Sequence, residues 1–172
     1  VLEIEEAVPT TAGNSVRLTR KSPVYDESGK ITAVCGVSTD ITEQKQRQQE
    51  LEGLKERFEL AVEGANLGIW DWDMTTDELE FNEQWARMLG HSTDEMEPQL
   101  KEWEQRAHPD DLGRVKEAID DHIEGKTALY DTEHRMRTAD GDWKWIRAVG
   151  EIADRNGDGD PVRAVGIHLD ID

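Results

Sequence analysis

The opening segment of the chain recurs at its end, and that recurrence limits the folds open to it. Offset by 128, Glu5 meets Glu133, Thr10 meets Thr138, Gly13 meets Gly141, Asp26 meets Asp154 and Gly29 meets Gly157. Offset by 130, Gly36 meets Gly166, Asp40 meets Asp170 and Ile41 meets Ile171, which implies a loop two residues longer in the second copy. Apolar positions follow suit, Leu18 with Ile146 and Val24 with Ile152. Matches at turn glycines and at a terminal Asp-Ile, in one order, predict tandem domains. The partition is residues 1–41 as the C-terminal strands of one domain, 42–65 as a linker helix and 66–172 as a complete second domain.

The linker is central to that arrangement. After Asp40-Ile41-Thr42-Glu43 comes a polar run, then Leu51, Leu54, Phe58, Ala61 and Ala65, spaced by three and four. This is the stripe of a helix that pairs with another helix, and it predicts a homodimer through Leu51, Leu54, Phe58 and Ala61. The plainer reading docks the same stripe on its own domain. Asp40 is read as the N-cap, with Glu43 completing a capping box.

Strand signals flank the helix. Residues 1–11, 15–24 and 31–39 alternate apolar and polar around turns at Ala12-Gly13-Asn14 and Asp26-Glu27-Ser28-Gly29, a three-stranded meander. Residues 67–74 form a strand with Trp70 and Trp72 on one face, and residues 78–81 a second. Asn82 caps a short helix stopped by Gly90. A further short helix carries Trp103, and His108-Pro109-Asp110-Asp111 opens a longer one with Leu112, Val115, Ile119 and His122 or Ile123 inward. Strands at 129–138, 143–154 and 162–171 close the chain. The fold class is α+β: a five-stranded antiparallel sheet with helices on one face, preceded by the linker helix and the meander.

A net charge of −19 argues against nucleic acid as a partner, because phosphate binding needs clustered Lys and Arg. So acidic a surface also fits a salt-rich, halophilic source. Cys35 is the single cysteine, so no intrachain disulfide forms and a reducing, cytoplasmic setting is expected. No run of about 18 apolar residues is present, and no membrane contact is expected from these residues. The chain opens on Val1, so covalent domains are expected on either side of it.

Four stretches resemble the PAS sensory-domain family, in its subclass with a Trp-rich first strand. They are Gly68-Ile69-Trp70-Asp71-Trp72-Asp73, His108-Pro109-Asp110-Asp111, Glu133-His134-Arg135-Met136 with Asp140-Gly141-Asp142-Trp143-Lys144-Trp145-Ile146, and Val165-Gly166-Ile167-His168-Leu169-Asp170-Ile171-Asp172. Residues 1–43 resemble the last strands of a preceding PAS domain, ending in Asp40-Ile41-Thr42-Glu43. The resemblance implies a sensor or relay module, without catalysis of its own, in a larger protein such as a two-component histidine kinase or a diguanylate cyclase. It implies a ligand groove between sheet and helices and a signal exit at Asp40, Ile41, Thr42 and Glu43, matched by Asp170, Ile171 and Asp172, with Asp172 in the place of Thr42.

The candidate pocket is drawn from Trp70, Trp85, Met88, Trp103, Tyr130, His134 and Met136, with Trp143 and Trp145 as further aromatic candidates. His134 is either a ligand contact or a core histidine bonded to backbone. Neither haem nor flavin is expected: residues 66–172 lack cysteine, and His122 is the lone histidine placed on the long helix for an axial role. Asp154-x-Asn156-x-Asp158-Gly159 copies half of a calcium loop, but Val165 stands where its last acidic ligand belongs, so no metal is expected. No phosphate loop or zinc spacing is present, and no enzyme is expected. Two functions remain: a sensory relay with a small ligand, or a passive dimerisation spacer.

Overall fold

The computed structural model describes residues 1–10 and 13–172. The chain divides into two compact units, Val1–Glu59 and Leu60–Asp172. In the first, β1 (Leu2–Thr10), β2 (Gly13–Tyr25) and β3 (Ile31–Asp40) form an antiparallel sheet in sequence order. The turn expected at Ala12-Gly13-Asn14 lies partly outside the described residues. Helix α1 (Thr42–Gly64) leaves β3, and the boundary between the units falls within it.

The second unit holds β4 (Gly68–Asp73), β5 (Glu78–Phe81), α2 (Glu83–Met88), α3 (Leu100–Arg106), α4 (Pro109–Ile123), β6 (Tyr130–Arg137), β7 (Trp143–Arg155) and β8 (Pro161–Asp170). Its five strands are antiparallel in the order β5-β4-β8-β7-β6. The strand formed last therefore sits at the centre, beside the strand formed first. Trp70, Leu79, Tyr130, Met136, Ile146 and Ala164 face Trp85, Leu89, Trp103 and Val115 from the helices, and this is the core. Asn82 caps α2 as expected: its Oδ1 accepts from the Trp85 amide at 3.0 Å and from the Ile69 amide at 2.9 Å. That one side chain fixes helix to strand.

The two copies agree in register, with a correction to how they align. Residues 26–30 and 156–160 close the same way. The amides of Ser28 and Lys30 donate to Asp26 Oδ1, and those of Asp158 and Asp160 donate to Asn156 Oδ1, all between 2.9 and 3.0 Å. The glycines that follow, Gly29 and Gly159, have φ of 81° and 91°, the left-handed region a side chain resists. These loops are equal in length. The extra residues lie elsewhere. Ala153 drops out of the β7–β8 register, and Arg137 pairs with Trp143 where Pro9 pairs with Asn14. A bulge inside a strand leaves no mark in composition.

The expected capping box is also corrected. Helix α1 begins one residue later than an Asp40 cap requires, with the Lys45 amide donating to the Ile41 carbonyl at 2.9 Å. Asp40 Oδ1 accepts from the Thr42 amide at 3.0 Å and from the Thr42 hydroxyl at 2.6 Å. Glu43 turns away to pair with Arg47, one helical turn on.

Candidate functional site

The site is built on a row that crosses the sheet. Trp70 of β4 pairs with Gly166 of β8, Gly166 with Gly150 of β7, and Gly150 with Tyr130 of β6. A Cβ on either glycine would overlap the six-membered ring of Trp70. Two missing side chains thus let the indole lie across the strands as far as Tyr130, whose ring meets it edge-on at 6.4 Å.

Above that row is a cavity of about 60 Å3, which opens toward solvent. Trp70, Trp72, Trp85, Trp103 and Tyr130 line it together with aliphatic side chains from β5, α3, α4 and β7. Of the residues expected in the pocket, Trp70, Trp85, Trp103 and Tyr130 border this space. Met88, His134 and Met136 do not; they are buried in the packing around it. Trp143 and Trp145 are about two-fifths exposed on the opposite face of the sheet, where Arg135 lies over Trp145 at 5.4 Å and His108 against Trp143 at 4.4 Å. Period two explains the miss: Ile146, not Trp145, points inward from β7.

His134 is a core histidine, but its partner is a side chain rather than backbone. Its Nε2 accepts from the Trp103 indole N–H at 3.2 Å. The neutral ring therefore carries its proton on Nδ1, which is buried with no partner among the described residues. Burial pushes its pKa down to about 4, against the pull of the Asp111 carboxylate. His168 lies 5.8 Å from it and stacks on Trp85 at 5.6 Å. His168 borders the cavity, and burial holds its pKa well below the usual value. The closing motif contains His168 but did not mark it as a cavity residue, because what matters is its place on the central strand. Burial pushes the Tyr130 hydroxyl up to about 12, partly offset by the hydrogen bond from Thr132 Oγ1 at 2.9 Å.

His122 also borders the cavity, with both ring nitrogens engaged. Nε2 accepts from the Ile152 amide at 3.2 Å, so Nδ1 carries the proton and donates to the Thr127 carbonyl at 3.1 Å. Cys35 is exposed on β3, in the other unit. In the acidic loop, the Asn156 oxygen is already used by two amides of its own turn.

Asp111 carries a role the sequence did not reveal. It accepts from the Arg135 amide at 3.0 Å, from Nε at 2.9 Å and from Nη2 at 2.8 Å, which ties α4 to β6. These bonds hold its pKa far below the usual carboxylate range. His108 caps the same helix, its Nδ1 accepting from the Asp110 amide at 3.2 Å.

The exit segments match across the copies. In the first unit the Ile41 amide donates to the Val16 carbonyl at 2.8 Å, and the Val16 amide donates to Thr42 Oγ1 at 2.8 Å. In the second the Ile171 amide donates to the Trp145 carbonyl at 3.1 Å, and the Trp145 amide donates to Asp172 Oδ1 at 3.3 Å. Asp40 and Asp170 accept from the backbone two residues on, at 3.0 and 3.2 Å.

The antiparallel sheet in the order β5-β4-β8-β7-β6, with helices over one face and a cavity between the layers, is the α+β architecture of a PAS domain. Residues 78–168 match the family profile described as PAS fold, and the chain belongs to that family. Among curated relatives, it is 26% identical over 134 residues to the probable diguanylate cyclase DgcE of Escherichia coli (strain K12), covering 77% of this chain and 12% of that protein. It is 31% identical over 122 residues to the sensor protein FixL of Bradyrhizobium diazoefficiens, covering 70% of this chain and 23% of that protein. The chain thus spans less than a quarter of either relative. Among solved structures, a sensory box histidine kinase/response regulator from Burkholderia thailandensis is 37% identical with a TM-score of 0.58, covering 67% of this chain and 84% of that one. The chain carries a signalling sensor module of the kind found in histidine kinases and diguanylate cyclases. Among the described residues no helix is long and apolar enough to cross a membrane.

Proposed function

We propose that the chain is a cytoplasmic sensory relay within a larger signalling protein. A small ligand enters the aromatic cavity, and its binding is passed to the Asp170–Asp172 exit along β8. Residues 1–41 are the end of a preceding PAS domain, whose own exit at Asp40 and Thr42 feeds α1. That helix pairs with its counterpart in a second copy through Leu51, Leu54, Phe58 and Ala61, and a kinase or cyclase domain elsewhere in the protein reads the outcome. The relay is a shift between two arrangements of packed elements.

The observation that carries this reading is the position of β8. One strand holds His168 against the cavity and, two residues later, Asp170 in the exit latch. A change in the cavity has a single rigid element to act on before it reaches the exit. The stripe of α1 supports pairing: Leu51, Leu54 and Phe58 are 67%, 64% and 58% exposed.

The deciding experiment is hydrogen exchange of the Trp145 and Ile171 amides with and without a cavity ligand. Altered protection on ligand binding supports the relay. Unchanged protection at saturating ligand favours the second reading, a passive dimerisation spacer, to which the small volume of the cavity lends weight.

A further inference from the structure

Building on the cavity as the ligand site, we propose that its ligand has an apolar body and one uncharged hydrogen-bonding head, a hydroxyl or carbonyl, which is read by His168. The walls are almost wholly indole and aliphatic carbon. Four residues with polar side chains other than tryptophan border the space, and three are accounted for. His122 spends both nitrogens on Thr127 and Ile152. The Tyr130 hydroxyl already accepts from Thr132 Oγ1 and keeps its own proton to donate. Glu151 is exposed to solvent. The indole N–H groups of Trp70, Trp72 and Trp85 are also buried without a partner among the described residues, but they can only donate. That leaves His168, 5% exposed and joined to no other side chain by a hydrogen bond among the described residues, as the wall group able to accept as well as donate.

Its orientation is fixed. Trp85 stacks on it, and the rings of His134 and Trp70 meet it at steep angles, 77° and 63°. A neutral imidazole offers one donor and one acceptor, so it answers a hydroxyl or a carbonyl equally well. Charged heads fare worse. A carboxylate would find no Lys or Arg on the wall. An ammonium would give up its water, offset only in part by the faces of the indole rings. The cavity of about 60 Å3 is smaller than the ~150 Å3 that takes a benzene ring whole, so a single ring seats in part and projects through the mouth.

The test titrates the whole chain with four rings of similar size: phenol, toluene, benzoate and benzylammonium. Calorimetry gives the affinities, and tryptophan fluorescence reports entry. Phenol is expected to bind about tenfold more tightly than toluene, and both charged rings more weakly than toluene. His168→Phe keeps a ring against Trp85 and should bring phenol down to the affinity of toluene. His168→Gln keeps a donor and an acceptor and should retain part of the preference, so the assignment does not depend on the folding of one variant. Toluene binding as well as phenol, or either charged ring binding best, overturns the assignment while leaving the cavity a ligand site. If none of the four binds, the assignment fails together with the ligand reading of the cavity.

Discussion

Trp103 on α3 donates its indole proton to Nε2 of His134 on β6, at 3.2 Å across the core. The bond exists only while Nε2 is unprotonated. It joins a helix that walls the cavity to an edge strand of the sheet, and it makes the fold sensitive to acid.

The sign of that sensitivity follows from burial. Unfolded, His134 takes a proton near 6.5; folded, it does so near 4. Between those values the unfolded chain binds more protons, so stability present above pH 6.5 is lost as pH falls toward 4. The loss is about 3 kcal/mol for His134, and the lowered pKa of His168 acts in the same direction. Urea denaturation of the chain at pH 7.5, 6 and 5 checks this, and a midpoint that does not move would contradict it. His134→Gln should flatten the profile, at some cost in stability at pH 7.5.

The Asp111–Arg135 pair predicts a separate loss. Asp111→Asn leaves three donors of Arg135 facing a weaker acceptor and should destabilise the second unit by about 1–3 kcal/mol. Arg135→Met should cost a similar amount and also remove the contact with Trp145. In the double variant the two losses should fall short of their sum, and strict additivity in denaturant titrations would show that the pair is not coupled.

Gly150→Ala tests the floor of the cavity. The added methyl meets the ring of Trp70, and the overpacking should cost about 1–3 kcal/mol. Trp70→Leu in the same chain should recover part of that loss, since it removes the atoms in the way. A Gly150→Ala chain as stable as the parent would mean that the indole does not lie over β7.

The stripe of α1 is tested by charge. Leu54→Glu and Phe58→Glu each place a carboxylate on an exposed apolar position, so they should leave the thermal stability of the second unit within about 0.5 kcal/mol. Light scattering after size exclusion should show a dimer for the parent chain and a monomer for both variants. A parent chain that runs as a monomer would exclude pairing through this helix.

Much of this architecture was legible because its causes are local. Alternation placed Trp70 and Trp72 inward, Asn82 announced α2, and Pro109 announced α4. The recurrence found the paired meanders and the matching exits. What stayed hidden depends on strand order. Gly166 falls within the expected last strand, but nothing in the sequence shows that its lack of a side chain makes room for Trp70. Its counterpart Gly36 pairs with Lys21, so the first copy has no such floor. His168 and Asp111 likewise gain their roles from neighbours far away in sequence, which neither spacing nor composition encodes.

The exchange of Thr42 for Asp172 makes the two exits chemically unlike. A hydroxyl holds the first, and it both accepts from Val16 and donates to Asp40. A carboxylate holds the second, beside Asp170, with Lys144 at 2.6 Å from that neighbour. Both exits carry one aspartate, Asp40 or Asp170, but the second adds the Asp172 carboxylate and the Lys144 ammonium, so dissolved ions act on it more strongly than on the first. One polypeptide therefore has two clasps that answer brine to different degrees.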